Sequence, residues 1–205
     1  MPKGSPERTA ARKEEIINAC EKLYQTMSFK DITLKEIGSE TSFSRPTIYN
    51  YFQTKEEIFL ALFEREYMRW NEELESILHD NEKLTKGQIA EKLATSIANR
   101  KQLLKLLAMN NYDMEANSRH EHLISFKVAY GKSLKNVGKI LTKFCPKKSE
   151  KEIRDIIYVF FPFMFGIYPY TAVTDKQQDA MKQANVDYVY QSVLEITNNC
   201  LLKLL

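Results

Sequence analysis

The residues best suited to recognition chemistry lie in one short stretch, SFSRPTIYNYFQTKEE, at positions 42–57. If this stretch is helical, Ile48 and Phe52 fall on one side as an i, i+4 pair. A helix this short buries too little surface to be stable alone, so these two side chains must anchor it to neighbouring helices. The opposite side then presents polar and aromatic groups, which are Pro46, Thr47 and Asn50, flanked by Tyr49 and Tyr51.

This outward face carries groups that can read double-stranded DNA. Asn50 can bond an adenine edge with two hydrogen bonds, and Arg45 can do the same with guanine. Thr and Pro side chains contact the methyl group of thymine, and Tyr hydroxyls suit phosphates. The alternative for Tyr49 is packing against neighbouring helices, which an amphipathic aromatic ring also favours.

Basic residues stand in the first turns of three successive predicted helices, at Lys35, Arg45 and Lys55. A cation in that place opposes the helix dipole and costs roughly 0.3–1 kcal/mol when exposed. Bound phosphates would explain the placement, because free backbone N–H groups and a basic side chain together form an anion site. The alternative is that these are ordinary surface cations, with acidic neighbours in the same turns offsetting the dipole.

Other chemistries find no support in the sequence. It contains no Gly-rich phosphate loop, no nucleophile elbow, no HExxH motif and no paired acids, so we expect no enzyme, no catalytic residue and no cofactor. His120 and His122 could be imagined as metal ligands, but positions i and i+2 of a helix point apart. We therefore expect both to be solvent-exposed, and no metal site.

The composition predicts an all-α protein. The 205 residues are 43% apolar and 28% charged, with only six Gly and six Pro, and apolar side chains recur near a period of 3.6. A net charge of +3 is too small to indicate nucleic acid by itself. Three widely spaced cysteines suit a reducing compartment, and the amino terminus has no apolar signal segment, so we expect a cytoplasmic location.

One uncharged run, residues 156–173, reaches the lower edge of membrane-span length. Two prolines, a glycine and three tyrosines lie within it, and charged helices flank it. These features favour a helix buried on nearly all sides over a membrane span, so we expect no membrane partner.

Start signals predict three helices near the amino terminus. The first covers residues 8–27, where apolar positions form one helical stripe. Thr33 and Glu36 form a capping box that opens a short second helix, ending near residues 39–41. Ser44 caps the third. Two short helices joined by a tight turn, behind a stabilising first helix, describe a helix-turn-helix.

The remainder of the chain is predicted to be a second helical domain. A capping box at Thr54 and Glu57 opens a long fourth helix, and Thr85 begins another. The further predicted helices cover 100–112, 117–144, 149–168 and a final segment from Thr174 to the carboxyl terminus. We divide the chain into a helix-turn-helix domain at 1–53 and a helical domain at 54–205.

Residues 9–63, above all TLKEIGSETSFSRPTIYNYFQTKEEIF, resemble the DNA-binding domain of TetR family transcriptional regulators. The resemblance covers about a quarter of the chain. It implies a three-helix DNA-binding domain, a helical regulatory domain that dimerises through its last two helices, and a palindromic operator. The implied partners are double-stranded DNA and a second copy of the chain, and the implied activity is repression that an effector relieves.

Carried over by position, the resemblance assigns roles to single residues. These are phosphate binding by Thr33 and Lys55, a base or phosphate contact by Lys35, base reading by Arg45, Pro46 and Thr47, and backbone contacts by Tyr49 and Tyr51. The chain departs from the family at Ser42, where Gly is frequent, so the turn could have a different shape because Ser adopts the left-handed conformation less readily. It departs again at Tyr51, where His is frequent, which leaves the partner of this residue open.

Basic residues also cluster at the amino terminus, ahead of the main part of the first helix. Lys3, Arg8, Arg12 and Lys13 could form an arm that reaches the minor groove. Because glutamates are interspersed among them, a solvated tail fits the sequence equally well.

Side-chain patterns alone describe the helical domain. The aromatic-rich helix at 149–168 needs burial on more than one side, so one face would meet the chain's own core and the other a partner subunit or a cavity. The last helix carries an apolar stripe suited to pairing with its symmetry mate, with core packing as the alternative. The expected effector is small and apolar or aromatic. Its candidate pocket residues, which suit a core as well, are Met109, Tyr112, Phe126, Tyr130, Phe161 and Phe165.

A helical adaptor that acts through protein contacts is the rival class of function. It would need neither the basic helix starts nor the polar outer face of residues 45–51. The sequence therefore favours a DNA-binding regulator, in which an effector in the helical domain changes the spacing of two recognition helices. The long fourth helix is the natural lever for that change.

Overall fold

The structure, a computed structural model, describes residues 5–109 and 111–205. Those residues form helices and no strand, which confirms the all-α prediction. The helices are α1 Pro6–Thr26, α2 Leu34–Ser39, α3 Arg45–Ile48, α4 Lys55–His79, α5 Lys86–Ala98, α6 Lys101–Leu107, α7 Asn111–Ala116, α8 His120–Phe144, α9 Glu150–Thr171, α10 Asp175–Gln183 and α11 Val193–Leu204.

The chain forms two compact units. The first comprises the described residues of 1–65 and 110–129, and the second those of 66–109 and 130–205. The first unit thus contains α1, α2, α3 and the start of α4, and also α7 and the start of α8. Residues 111–129 belong to this unit although they lie far along the sequence from the helix-turn-helix.

The core of the first unit is built on one face of α1 and the beginning of α4. Ile16, Cys20 and Tyr24 of α1 are buried at successive helical turns, as the predicted stripe requires. The Tyr24 ring meets the Phe59 ring edge to face, with centroids 5.1 Å apart. An edge-to-face ring pair stabilises a fold in addition to the stabilisation from its buried apolar area. This contact therefore helps to fix α1 against α4.

A glycine, Gly38, lies where α2 and α3 approach each other closely. A Cβ atom at Gly38 would lie 3.4 Å from the Cβ of Arg45 and 3.5 Å from a side-chain carbon of Ile48. Both are ordinary van der Waals distances, so an alanine would fit at position 38, whereas a longer side chain would have to displace Arg45 or Ile48.

The core of the second unit centres on the remainder of α4. Tyr67, Trp70 and Leu74 are fully buried, and the indole N–H of Trp70 donates to the Ser96 hydroxyl of α5 at 3.0 Å. The Trp70 ring lies 5.7 Å from the ring of Phe161 in α9. α11 packs against α5 and α9, and α6 packs against α9.

The predicted final helix is wrong, because two helices replace it. α10 ends at Gln183, and α11 begins at Val193. Between them Asn185 has a φ of 52°, and the N–H of Val186 bonds back to the carbonyl of Met181 at 3.0 Å. A left-handed Asn with this hydrogen bond is a helix-terminating motif. The predicted helix over 100–112 is also too long, since α6 ends at Leu107 and α7 begins at Asn111.

The expectation that residues 156–173 are buried on nearly all sides is wrong for the single chain. Phe160, Phe161, Met164 and Ile167 are buried, but the opposite face of α9 is open. Its large exposed side chains are Tyr158 at 68%, Val159 at 49%, Phe165 at 38% and Tyr170 at 57%. In the part of the chain that the structure describes, no single helix is long and apolar enough to cross a membrane, and one pair, α9 with α10, meets those criteria jointly with a bend of 83°.

Candidate DNA-binding surface

The turn between α2 and α3 is fixed by short-range hydrogen bonds. The Thr41 hydroxyl donates toward the carbonyls of Gly38 at 3.0 Å and Phe43 at 3.1 Å. The N–H of Ser42 donates to the Glu15 carboxylate of α1, and this hydrogen bond lowers the pKa of Glu15. Ser42 has no positive φ, so the turn closes without the left-handed residue that Gly often supplies at this point.

α3 is short, and buried side chains hold it in place. After Ile48 the chain continues as a turn in which the N–H groups of Tyr51 and Phe52 both donate to the Ile48 carbonyl, at 2.8 and 2.9 Å. Ile48 is 0% exposed and Phe52 is 1% exposed. The prediction that these two residues anchor the helix is confirmed.

Most of the predicted DNA-binding residues face solvent. Thr47, Tyr51 and Lys55 are half-buried. The exposed ones are Thr33, Lys35, Ser44, Arg45, Pro46, Tyr49 and Asn50. The surface therefore offers a guanidinium and a proline in the first turn of α3, and an aromatic hydroxyl and an amide in the turn that directly follows it.

Arg45 and Tyr49 form a pair on the exposed side of α3. The guanidinium donates to the Tyr49 hydroxyl at 3.1 Å and lies 5.9 Å from the centre of its ring. This contact limits the rotamers of a long side chain, so less conformational entropy is lost when it binds a target. Tyr49 is 47% exposed, so it does not pack into the core in the way that the alternative for this residue required.

Arg12 extends this surface from α1. Its guanidinium donates to the Tyr51 hydroxyl at 3.4 Å and lies 5.7 Å from the centre of the Phe43 ring. Arg12 lies inside α1, as do Arg8 and Lys13, so these three form neither an extended arm nor a solvated tail. Lys3 lies outside the described residues.

Two residues predicted to bind phosphate, Thr33 and Lys55, already form hydrogen bonds within the chain. The Lys55 ammonium donates to the carbonyls of Phe29 at 2.7 Å and Ile32 at 3.0 Å, and it lies 4.2 Å from the centre of the Phe29 ring. The Thr33 hydroxyl accepts the N–H of Lys35 at 3.2 Å and donates its single proton to Glu36. Thr33 is therefore an N-cap, but the expected capping box is not formed, because its hydroxyl accepts the N–H of Lys35 and not that of Glu36, and Glu36 bonds the hydroxyl and not the Thr33 N–H.

The predicted Ser44 cap has the geometry of an N-cap but not its side-chain hydrogen bond. Ser44 has φ −69° and ψ 151°, and its carbonyl accepts the N–H of Thr47 at 2.8 Å. Its hydroxyl lies 3.3 Å from the Thr47 hydroxyl instead of bonding a backbone N–H. The Ser44 hydroxyl is thus placed at the exposed start of α3.

The expectation that both histidines face solvent holds for one of them. His120 is exposed, but the His122 side chain is only 14% exposed. Its ring lies 5.4 Å from the ring of Phe52, and Nε2 lies 3.6 Å from a carboxylate oxygen of Glu57. Within the described residues no three His, Cys, Asp or Glu side chains are grouped to hold a metal ion.

The candidate effector residues fall in different surroundings. In the first unit Phe126 packs on Phe63 with centroids 4.8 Å apart, whereas Tyr112 is 84% exposed. In the second unit Tyr130 and Phe161 meet edge to face at 5.7 Å. There Phe165 is exposed and Met109 is half-buried.

A polar cleft lies in the second unit, apart from those aromatic residues. It measures about 740 Å³ and lies between α4 and α5. Arg100 forms an ion pair with Glu73 in its wall, and Arg69, Glu72, Glu91 and Lys92 also line it. Its charges balance and most of its lining residues are polar or charged, which differs from the apolar site that the sequence suggested.

A short helix that exposes polar and aromatic side chains, anchored behind two supporting helices, defines a helix-turn-helix protein. Comparison with known families makes this class more specific. Residues 16–62 match the family described as bacterial regulatory proteins, tetR family, and residues 64–190 match the tetracyclin repressor-like, C-terminal domain. The chain belongs to the TetR family of transcriptional regulators, whose members bind DNA and dimerise and are not enzymes.

Individual relatives agree with this assignment. The chain is 33% identical over 63 residues to YfiR of Bacillus subtilis, an uncharacterized HTH-type transcriptional regulator, and the match spans about a third of that relative, 31% of each chain. A TetR-family regulator from Mesorhizobium loti shares the fold with a TM-score of 0.63 at 14% identity, covering 96% of both chains.

Two further solved structures with this fold contain bound ligands. FadR of Bacillus subtilis in complex with stearoyl-CoA has a TM-score of 0.58 at 18% identity, covering 93% of this chain and 96% of that one. FadR of Thermus thermophilus in complex with lauroyl-CoA has a TM-score of 0.54 at 20% identity, covering 93% of each chain. At these identities the likeness concerns the fold alone.

Proposed function

We propose that this chain is a sequence-specific DNA-binding repressor that binds a palindromic operator as a homodimer and leaves it when an effector binds the helical half. The observation that carries the proposal is the construction of α3. Ile48 and Phe52 are buried beneath it, while Arg45, Pro46 and Asn50 are exposed above. An adaptor would have no need of this polar surface.

The exposed side chains divide into base-reading and positioning groups. Arg45 and Asn50 have the donor and acceptor geometry to read guanine and adenine edges, and Pro46 and Thr47 suit a thymine methyl. Tyr49 and Tyr51 would bind the DNA backbone and set the register. Because the Lys55 ammonium is already bonded to two carbonyls, we assign Lys55 chiefly to holding the start of α4.

The open face of α9 is the proposed homodimer surface, together with the last part of the chain. Tyr158, Val159, Phe165 and Tyr170 form an apolar face that soluble proteins seldom leave exposed. A twofold dimer pairs the same surface on both subunits, so one such patch is enough for a closed assembly. Two recognition helices related in this way would enter successive major grooves about 34 Å apart, which requires a palindromic site.

Effector release would act through a change in the dimer that spoils this spacing. α4 is continuous from Lys55 to His79 and contains residues of both units, so it is the natural lever. Acyl-CoA thioesters are the first effectors to test, because two proteins with this fold bind them. Such a repressor would work in the cytoplasm, where its operator lies.

The decisive test is selection of binding sites from a random duplex pool, followed by fluorescence anisotropy at two salt concentrations. Duplexes tiled upstream of the coding region would serve in parallel. We expect saturable, salt-sensitive binding to a palindrome that is lost in Arg45→Ala/Tyr49→Phe and kept in Lys83→Ala, an exposed control outside the proposed surface. Uniformly weak binding with no selected sequence would contradict the proposal and favour the adaptor.

Effector release needs its own measurement. Stearoyl-CoA and lauroyl-CoA would be titrated into the preformed complex, with free coenzyme A as the control. A fall in anisotropy with the thioesters alone would support an acyl-chain effector. If neither thioester changes operator binding or the thermal unfolding midpoint, the effector belongs to another chemical class.

A further inference from the structure

A buried carboxylate lies just beyond the recognition helix. Glu57, in the first turn of α4, is 1% exposed. Its two oxygens accept the backbone N–H groups of Gln53 at 2.7 Å and Arg119 at 3.1 Å. They also accept Nε of Arg119 at 2.7 Å and an Nη of the same side chain at 2.9 Å. The pair is thus a two-pronged Arg–carboxylate contact, which fixes direction as well as distance.

The same guanidinium also reaches the backbone that follows α3. Its Nη2 donates to the carbonyl of Tyr51 at 3.0 Å and lies 3.0 Å from Nε2 of His122. Its Nη1 lies 3.0 Å from Glu121 at the surface. We call residues 45–52, which comprise α3 and the turn after it, the recognition segment. Arg119 therefore connects the end of the recognition segment with the start of α4 and the start of α8.

Both members of the pair are charged. Burial acts to raise the pKa of Glu57, but the hydrogen bonds from Arg119 and from the Gln53 and Arg119 amides outweigh it and lower the pKa to about 2. The Glu57 hydrogen bonds raise the pKa of Arg119. Glu57 is buried, whereas the Arg119 side chain is 36% exposed. Removing a carboxylate from water is costly, so such a pair is a poor way to gain stability. What the pair supplies is a fixed geometry.

The backbone that Arg119 holds lies next to the proposed DNA contacts. Tyr51, whose carbonyl Arg119 holds, directly follows Asn50 and is two residues from Tyr49. Arg119 lies 62 residues beyond Glu57 in sequence, outside the helix-turn-helix, yet in the same compact unit. The end of the recognition segment is therefore held by a residue from the middle of the chain.

We propose that Arg119 is a positioning residue for operator binding, which aligns the recognition segment by holding the Tyr51 carbonyl and the Glu57 carboxylate. The inference rests on the proposed DNA-binding function. It assigns to residues 111–129, which sequence places in the helical half, a direct part in shaping the DNA-binding surface. Arg119 itself makes no contact with DNA under this proposal.

The test uses the full chain and the operator selected with it. Operator affinity would be measured by anisotropy across a salt series for the native chain, Arg119→Met and Arg65→Met. Arg65 is the matched control, because it forms comparable ion pairs in the same unit, with Glu14 at 3.1 Å and Glu21 at 2.8 Å, away from the recognition segment.

We expect Arg119→Met to bind the operator about tenfold more weakly, the effect of misaligning one base contact, with the slope of log affinity against log salt unchanged. Arg65→Met should lose thermal stability to a similar extent and keep its affinity. Three results would overturn the proposal: native affinity in folded Arg119→Met, an equal loss in Arg65→Met, or a salt slope reduced by about one, which would make Arg119 a phosphate ligand.

Arg119→Lys keeps the test decisive if Arg119→Met does not fold. Lysine retains the charge but cannot bond Glu57 and the Tyr51 carbonyl in the same planar fork. We expect faster hydrogen exchange at the Gln53 amide, which reports directly on the Glu57 carboxylate, together with weaker operator binding. Native exchange and native affinity in this variant would refute the positioning role. If the native chain itself selects no DNA sequence, the proposed function fails instead.

Discussion

Two exposed segments of this chain differ in how they are held. The recognition turn, residues 42–57, has buried anchors at Ile48 and Phe52 and, at its end, an ion pair that contains the buried Glu57. The carboxyl-terminal excursion, residues 172–192, contains α10 and no buried residue. A contact between the rings of Tyr188 and Tyr190, with centroids 4.9 Å apart, lies within the excursion itself. The first surface is shaped before its partner arrives, whereas the second has a shape that the single chain does little to stabilise.

This difference indicates which of the two surfaces can discriminate between binding partners without help from a second subunit. A preorganised surface loses little entropy on binding, so small differences between partners are expressed as differences in affinity. A nine-residue helix without buried side chains is marginal in water and gains order only from what it contacts. We therefore connect the recognition turn with DNA sequence reading, and the excursion with the second subunit, beside the open face of α9.

The largest expected effect comes from removing an anchor of the recognition turn. Phe52→Ala deletes a ring that is 1% exposed, so the free energy of unfolding should fall by about 3–5 kcal/mol. Urea unfolding followed by circular dichroism would measure it, and operator binding should be lost at temperatures where the variant is still folded. Normal operator affinity in a folded Phe52→Ala chain would mean that the turn does not depend on its anchor.

The second effect tests the proposed subunit surface. Tyr158 is 68% exposed on α9, so Tyr158→Glu should leave the chain folded but place two like charges in a twofold interface. We expect the dimer dissociation constant to rise roughly a hundredfold, about 3 kcal/mol, as measured by sedimentation velocity. Tyr112→Glu is the control, because Tyr112 is also largely exposed, at 84%, but lies in the first unit. An unchanged dimer in Tyr158→Glu would remove α9 from the interface.

Local rules predicted the recognition turn well. Ile48 and Phe52 are spaced as an i, i+4 pair, and this alone decides which side of α3 is buried. The Asn185 helix stop was missed, although Asn at such a position is a known terminator, because the apolar stripe around it continued in register. Glu57 was assigned to a capping box, and half of that box is present in the hydrogen bond from its N–H to Thr54 at 3.2 Å.

Long-range partners could not be predicted from such rules. Arg119 meets Glu57 across 62 residues of sequence, and no local pattern specifies that pairing. For the exposed side of α9, the sequence leaves open whether a partner subunit or a cavity covers it, for a related reason. A run of aromatic residues has the same composition whether the covering surface belongs to its own chain or to another. The hydropathy of a single sequence therefore cannot distinguish burial by a partner subunit from burial in the chain's own core.

A smaller effect concerns His122, which shares the Arg119 contact at the end of the recognition turn. Burial lowers its pKa, and the charges of Arg119 and Lys13 lower it further, while Glu57 and Glu121 act to raise it. The folded state therefore favours the neutral ring more than the unfolded chain does. The free energy of unfolding should decline as pH falls below about 6.5, the ordinary histidine value, toward the lowered one.

The measurement for His122 is chemical unfolding at pH 7.5 and at pH 5.5, repeated with His122→Gln. The amide oxygen of glutamine can accept from Arg119 without titrating. We expect the native chain to lose more stability than the variant between the two pH values, because only the native chain has a ring whose pKa is lowered by folding. Equal losses in both chains would show that His122 does not titrate in this range.

The smallest effect is expected in the excursion. Val189 is 77% exposed, so Val189→Ser should change the free energy of unfolding by less than about 0.5 kcal/mol in dilute solution, where subunits are apart. The same variant should weaken self-association, because an apolar side chain buried by the second subunit contributes roughly 1–2 kcal/mol there. Measuring both the free energy of unfolding and the dimer dissociation constant distinguishes order that comes from the chain itself from order that comes from the second subunit. A loss of stability in dilute solution above about 1 kcal/mol would show that the excursion packs on its own chain, and the contrast with the recognition turn would then be one of degree.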